Sequence, residues 1–511
     1  MKKSGRALFA LLCWLSVSSI ANSVAALAQD ADTSIDANAA VRSYVEQHKP
    51  AILKEFVEFL SIPNVASDTA NIRKNADAIE RMLKQRGFHV KQLVQDDGPP
   101  VVIAEKSSDR KKHTVTFYAH YDGQPVQKAD WVRDPWSPAL VIDSKGSDTR
   151  LYARSASDDK AAVMGLIAAY DALKAGGVEP SVNIKFFFEG EEEAGSPHLE
   201  KFLAHYADQL ATDLWVFCDG PVYQNGNPLL VFGNRGVTTV AITAFGPNRA
   251  LHSGHYGNWA PNPIVELAHL VAKLRTTEGE ITIPHFYEAV RPLKPSEQTA
   301  LKNLPNLDAQ LKDDFGLGRT EGQGSVPEQI MKPALNLDRI EGGGYGPNPA
   351  NAIPISATAY IDFRLVPDQT PVIVREQLES YLRQLGYFLV HQAPTAAERK
   401  EHARLLQLNW GAGYPPQRAD MDAPVSQAFI HAARDLTGNS LVIIPTLGGS
   451  TPAFLFEQQF KETVITLPIA NFDNNQHAAN ENIRLQNLWD GIDAFAAMFT
   501  RLDRFWPRTT P

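Results

Sequence analysis

The sequence predicts an α/β protein: a largely parallel sheet with helices on both faces, into which an α+β domain with one four-stranded sheet is inserted. Three observations predict it. Up to about residue 236, short apolar runs alternate with segments whose apolar residues recur at helical spacing, the texture of a layered α/β sheet. Between 237 and 412 the order becomes strand, helix, strand, strand, helix, strand, which suits a small sheet domain. A Pro/Gly-rich stretch from Gly411 to Pro416 then leads back into α/β material. Residues 29–236 and 413–511 are therefore read as two parts of one domain, with 237–412 inserted between them. At 511 residues the chain is long enough for both.

Residues 1–28 stand apart. Lys2, Lys3 and Arg6 form a basic start, Ala7 to Leu15 an apolar run, and Ala26-Leu27-Ala28 a small-residue ending. This is the pattern of a secretory signal peptide, and serines from Ser16 onward break the run well short of the roughly 20 apolar residues of a membrane span. The expected product is an exported chain, periplasmic or secreted, without a membrane span, beginning near Gln29. Helices follow over Ala39 to Leu60 and Asn71 to Gly87, where Gly87 supplies a stop. Val101 to Ala104, Thr114 to Ala119, Val182 to Phe188, Leu214 to Cys218 and Leu229 to Phe232 read as strands. Asp158 to Ala175 reads as a helix closed by Gly176 and Gly177. In the inserted part, Val237 to Phe245, Leu335 to Ile340, Ala357 to Val366 and Phe388 to Gln392 are expected strands, with helices over Pro263 to Leu274 and Pro371 to Leu385. The last stretch offers helices Ser426 to Leu436 and Leu485 to Phe499 around strands Leu441 to Ile444 and Thr463 to Leu467.

The formal net charge is −9, and no basic run extends beyond Arg110-Lys111-Lys112, so nucleic-acid binding has no electrostatic footing. Of two cysteines, Cys13 lies in the leader, and Cys218 alone cannot form an internal disulfide. Stability must come from core burial.

Three expected strands end in polar residues, which is where an open α/β sheet places its ligands. The first ends in His120-Tyr121-Asp122, the second in Glu189-Gly190-Glu191-Glu192-Glu193-Ala194-Gly195-Ser196, the third in Cys218-Asp219-Gly220. Taken singly, an H-x-D is a turn, an acidic run is a solvated loop, and Asp158 or Asp159 in Ser157-Asp158-Asp159-Lys160 is a helix cap; for Asp159 the cap is the reading adopted. His477, in Asn474-Asn475-Gln476-His477, is ambiguous alone. Together His120, Asp158, Glu193, Asp219 and His477 make two imidazoles and three carboxylates, a nitrogen and oxygen set that suits Zn²⁺ and also Mn²⁺ or Co²⁺. Two such ions against three carboxylates leave room for one hydroxide, the arrangement of a two-metal hydrolase.

The ordered series H-x-D, D-D-K, E-G-x-E-E-x-G-S, a strand-end Asp and a late His resembles the cocatalytic zinc metallopeptidases, the family of carnosinase-type dipeptidases, acetylornithine and succinyl-diaminopimelate deacylases, aminoacylases and glutamate carboxypeptidases. The resemblance runs through essentially the whole chain after the leader. It implies two divalent ions per subunit, zinc first, with His120 and Asp219 on one, Glu193 and His477 on the other, and Asp158 shared. It implies that Asp122 orients His120 and that Glu192 is the general base, activating the water that bridges the ions. Ala250-Leu251-His252-Ser253-Gly254 resembles the lid motif of the inserted, dimer-forming domain, whose His252 would stabilise the oxyanion and would commonly come from the partner subunit of a homodimer. Arg364, in Phe363-Arg364-Leu365-Val366-Pro367-Asp368, would bind a substrate carboxylate. Asn351, and Gly449 and Ser450 of the loop Gly448-Gly449-Ser450-Thr451-Pro452, would assist it. Thr446 and Leu447 stand before Gly448, where the carnosinase branch commonly carries Arg-Glu, which points away from carnosine itself as the substrate.

The activity expected from this set is hydrolysis of dipeptides or short peptides with a free C-terminal carboxylate. An N-acyl-amino-acid amidohydrolase uses the same groups and is the alternative. Two lobes joined by two crossings also describe an exported solute-binding protein, but such a receptor has no use for five ligands beside a base.

Overall fold

The computed structural model describes residues 37–506 apart from 107–108, 144–145, 147 and 344–350. The expected signal peptide lies outside the described residues. The described residues form two compact units: those up to Leu229 with Ala423–Leu441 and those from Thr466 onward, and Leu230–Asp422 with Val442–Ile465. The second unit thus takes in more chain than 237–412, because the pairs Arg418 with Gly233 and Asn234 with Leu447 tie the flanking segments to it.

In the first unit, five strands lie in the order His89–Leu93, Val101–Glu105, Asn183–Glu189, Thr114–His120, Leu214–Phe217. Thr114–His120 runs parallel to both of its neighbours, whereas the two strands on the His89 side are antiparallel. The sheet is therefore mixed, its parallel portion centred on the strands that matter below and its edge closed antiparallel, a common compromise in large sheets. The parallel strands are buried almost throughout: Phe117, Phe186, Phe187, Phe188 and Trp215 are inaccessible, and Tyr118 stacks on Phe217 at 4.1 Å between ring centroids.

Helix Lys160–Ala175 packs against the last helix, Leu485–Phe505. Gly165 permits the approach, since a Cβ there would lie 2.9 Å from the Phe495 ring. Residues 37–60 are helical as expected, and helix Thr69–Gln85 is capped by Asp68, which accepts from Asn71 N. A separate three-stranded sheet, Asn482–Arg484, Thr149–Tyr152, Ala139–Ile142, has no counterpart in the sequence reading. Its strands are three or four residues long: Thr149–Tyr152 and Asn482–Arg484 mix polar and apolar residues, and Ala139–Ile142, though apolar, is short and leaves Leu140 and Ile142 exposed.

The second unit carries an antiparallel-dominated sheet in the order Ala334–Gly342, Ser356–Leu365, Gly236–Phe245, Leu405–Trp410, Phe388–Val390. It has five strands, not four. The added strand is Leu405–Trp410, which has no counterpart in the sequence reading; Leu406 and Leu408 are buried and its pairing to Gly236–Phe245 covers an otherwise open edge. Ala359, Ile361, Phe363 and Leu365 face the core with helices Pro263–Leu274 and Pro371–Gln384, while Arg364 projects from the other side. Among the described residues no helix is long and apolar enough to cross a membrane.

Candidate metal centre

The parallel register brings three strand ends to one edge of the first unit's sheet: His120 pairs with Glu189, and Tyr118 with Phe217. The residues just past each end, His120 to Asp122, Glu191 to Glu193 and Cys218 to Asp219, are thereby neighbours. Gly190 is required at the second of these turns because a Cβ there would collide with the Tyr121 phenol. Two clusters of ligand-type atoms result: His120, Asp158 and Asp219, and Asp158, Glu193 and His477, with the atoms of each within 4.8 Å of one another. Asp158 belongs to both. Its Oδ1 lies 2.9 Å from His120 Nε2 and its Oδ2 lies 3.2 Å from His477 Nε2, which is also 3.2 Å from Glu193 Oε2.

Asp122 is fully buried behind this pair. Its Oδ1 sits 3.3 Å from His120 Nδ1 and accepts from Glu192 N at 3.1 Å, while Oδ2 accepts from Glu193 N at 3.0 Å. One carboxylate therefore fixes the imidazole and the acidic turn together. Gln124 donates to Glu193 Oε2 at 2.8 Å. Asp159 departs from expectation. It precedes helix Lys160–Ala175 but makes no side-chain cap; it is buried, and its Oδ2 accepts from His120 N at 3.3 Å. A buried strand-end amide needs an acceptor, and Asp159 supplies one to His120 N.

Burial raises Glu192 well above the usual carboxylate range, His120 opposing and Asp219, Glu193 and Asp122 reinforcing. Burial and the Asp158 charge push Asp219 up to about 7. Burial disfavours charge on His120, yet hydrogen bonds to Asp122 and Asp158 outweigh it and hold the imidazole above its ordinary value. His477, half exposed, is lifted to about 10 by its bonds to Asp158 and Glu193. Among the described residues no lysine or arginine forms an ion pair with Asp122, Asp158, Asp159, Asp219, Glu192 or Glu193. Six carboxylates with only two imidazoles among them form a site whose charge fits divalent cations. The nitrogen and oxygen donors, divided by a carboxylate with one oxygen toward each cluster, fit two of them.

The remaining expected residues lie in the second unit. There Arg364 Nη1 is 3.4 Å from Ser450 Oγ, and Arg364 Nε pairs with Asp362 at 2.7 Å. Gly449 precedes Ser450 in the loop after strand Val442–Ile444. Exposed His252 pairs with Ala352, and Ser253 N donates to Asn351 O, so the lid motif and Asn351 are adjacent. Burial and the nearby Arg364 charge lower Arg235 to about 10.

Sequence reasoning missed Gln124 and Glu481. Gln124 follows the H-x-D by two residues, but only the fold turns it toward Glu193. Glu481 is taken up below.

The model of "Peptidase family M20/M25/M40" matches residues 116–501. The chain is 27% identical over 471 residues to the Cys-Gly metallodipeptidase dug1 of Schizosaccharomyces pombe, covering 88% of this chain and 95% of that protein. It is 29% identical over 416 residues to the Beta-Ala-His dipeptidase of Mus musculus, 80% of each. Among solved structures it resembles the M20 family metallo-carboxypeptidase Sso-CP2 from Sulfolobus solfataricus, with a TM-score of 0.73 at 27% identity over 88% of this chain and 99% of that one.

Proposed function

Because this chain belongs to peptidase family M20/M25/M40, and is thus a peptidase, we propose that it is an exported two-metal dipeptidase that cleaves dipeptides or short peptides with a free C-terminal carboxylate. The observation that carries this is Asp158, whose two oxygens divide between two clusters that each hold a histidine and a second acid. His120 and Asp219 would hold one divalent ion and Glu193 and His477 the other. When bound, such ions polarise a peptide carbonyl and make water a stronger acid. Glu192, in neither cluster, takes the proton from the attacking water and returns it to the leaving amine, and its raised pKa suits both directions of transfer. Asp122 keeps His120 Nδ1 engaged so that Nε2 faces Asp158.

For the substrate carboxylate we assign Arg364 and Ser450, which the second unit brings together, with Asn351 and Gly449 beside them in role, and for the oxyanion His252. The relatives named for Cys-Gly and Beta-Ala-His dipeptides support a dipeptide over an N-acyl amino acid. Export is supported by the basic, apolar and small-residue pattern of residues 1–28. A homodimer formed through the second unit is part of the same proposal.

The test is a panel of free dipeptides against N-acetyl and N-succinyl amino acids, run on chelator-treated protein and after addition of Zn²⁺, Mn²⁺ or Co²⁺. Metal-dependent cleavage of dipeptides is expected. Cleavage confined to N-acyl amino acids overturns the substrate, and activity unaffected by chelation overturns the mechanism.

A further inference from the structure

Glu481 is inaccessible to solvent and lies four residues beyond His477, at the end of the same loop. Its carboxylate gathers five donors. Oε2 accepts from Arg154 Nη1 at 2.8 Å and from Ser155 N at 2.9 Å; Oε1 accepts from Ser157 N at 3.0 Å, Ser157 Oγ at 2.8 Å and Asp158 N at 2.9 Å. The Glu481 carbonyl accepts in addition from Ala153 N at 3.1 Å. Every residue from 153 to 158 except Ala156 therefore donates to Glu481. Strand Asn482–Arg484 continues the attachment by pairing with Thr149–Tyr152, the strand that leads into this turn. Arg154, which forms an ion pair with the carboxylate, lies over the Trp131 ring at 5.1 Å.

A turn that presents a side chain to two clusters at once has little tolerance: moving the Asp158 backbone by a fraction of an ångström lengthens its approach to His120 or His477. Hydrogen bonds from backbone amides to a carboxylate hold the main chain itself, and charge-assisted bonds of this kind are about twice as strong as neutral ones. We infer that Glu481 is a positioning residue that locks the Asp158 turn to the loop bearing His477 and thereby sets the spacing of the two metal sites. This rests on the two-metal reading above.

Zn²⁺ affinity, measured on the full chain by chelator competition, tests it in Glu481→Gln, Ser157→Ala and the double variant. Wild type should take up two Zn²⁺ per chain. In Glu481→Gln an amide NH₂ faces donors that a carboxylate oxygen had accepted, and both sites should weaken together by roughly 10- to 100-fold, the cost of losing a group that orients a ligand. Ser157→Ala removes one of the five bonds and should weaken both sites by less, keeping the test open if Glu481→Gln fails to fold. The double variant should be no weaker than Glu481→Gln, since both act through one contact. Excess Zn²⁺ should restore kcat with KM unchanged. A folded Glu481→Gln protein with wild-type Zn²⁺ affinity, or with one site weakened alone, overturns the inference. Wild type that binds fewer than two Zn²⁺ overturns the two-metal reading, and this inference with it.

Discussion

Replacing Asp122 with alanine separates the two tasks of that carboxylate. It removes the acceptors of Glu192 N and Glu193 N and the oxygen 3.3 Å from His120 Nδ1. Each orphaned amide costs about 1–3 kcal/mol, and because the 192–193 turn is only partly buried the sum falls near the lower end, about 2–3 kcal/mol. Loss of a group that orients a ligand lowers metal affinity by about 10- to 100-fold. The Asp122 carbonyl also faces His120 Nδ1, at 3.2 Å, and survives the substitution, so about tenfold is the expected loss. Asp122→Asn keeps one acceptor oxygen and should fall between wild type and alanine in both respects. Urea unfolding of metal-free protein reads the first quantity and chelator competition the second. Reduced stability with unchanged metal affinity would show that Asp122 only pins the turn and does not orient His120.

Two further outcomes follow from the site. Glu192→Ala should keep two metals per chain by elemental analysis while kcat falls by about 10²- to 10⁴-fold, the contribution of a general base; an emptied metal site would instead make Glu192 a ligand and shift the register of the acidic run. Glu189, buried beneath the same turn, is pushed up to about 8 by burial although Tyr118 donates to it at 2.7 Å. Its folded pKa exceeds its unfolded one, so its stability contribution is complete below the unfolded value and is lost as pH climbs toward 8. Chelator-treated Glu189→Gln should therefore gain on wild type between about pH 5 and about pH 9 in urea midpoint, and a gap that stays constant with pH would refute the shift.

What the sequence disclosed depended on range. Strand ends carrying His120, Glu193 and Asp219 were legible because each follows a short apolar run, and a parallel sheet necessarily gathers such ends at one edge. Helix Lys160–Ala175 was legible from its long, mostly apolar run and its Gly176-Gly177 stop. Asp159 was misread because cap preference is a local rule, and a strand-end amide 39 residues away claims its side chain. Glu481 was invisible for the same reason. In sequence it is one more acid in a polar loop, and its partners become neighbours only when Asn482–Arg484 pairs with Thr149–Tyr152 across more than 300 residues. Leu405–Trp410 could have been found from Leu406 and Leu408 alternating with polar residues, although its place beside Gly236–Phe245 is again long-range.

The central claim is that one carboxylate serves two ions. Metal content per chain in Asp158→Ala, compared with wild type under identical Zn²⁺ loading, tests it directly. The account predicts two ions in wild type and loss of both in the variant, together with activity, since Asp158 alone belongs to both clusters. An Asp158→Ala protein that keeps two ions and near-normal turnover would contradict it and leave Asp158 a helix-end residue.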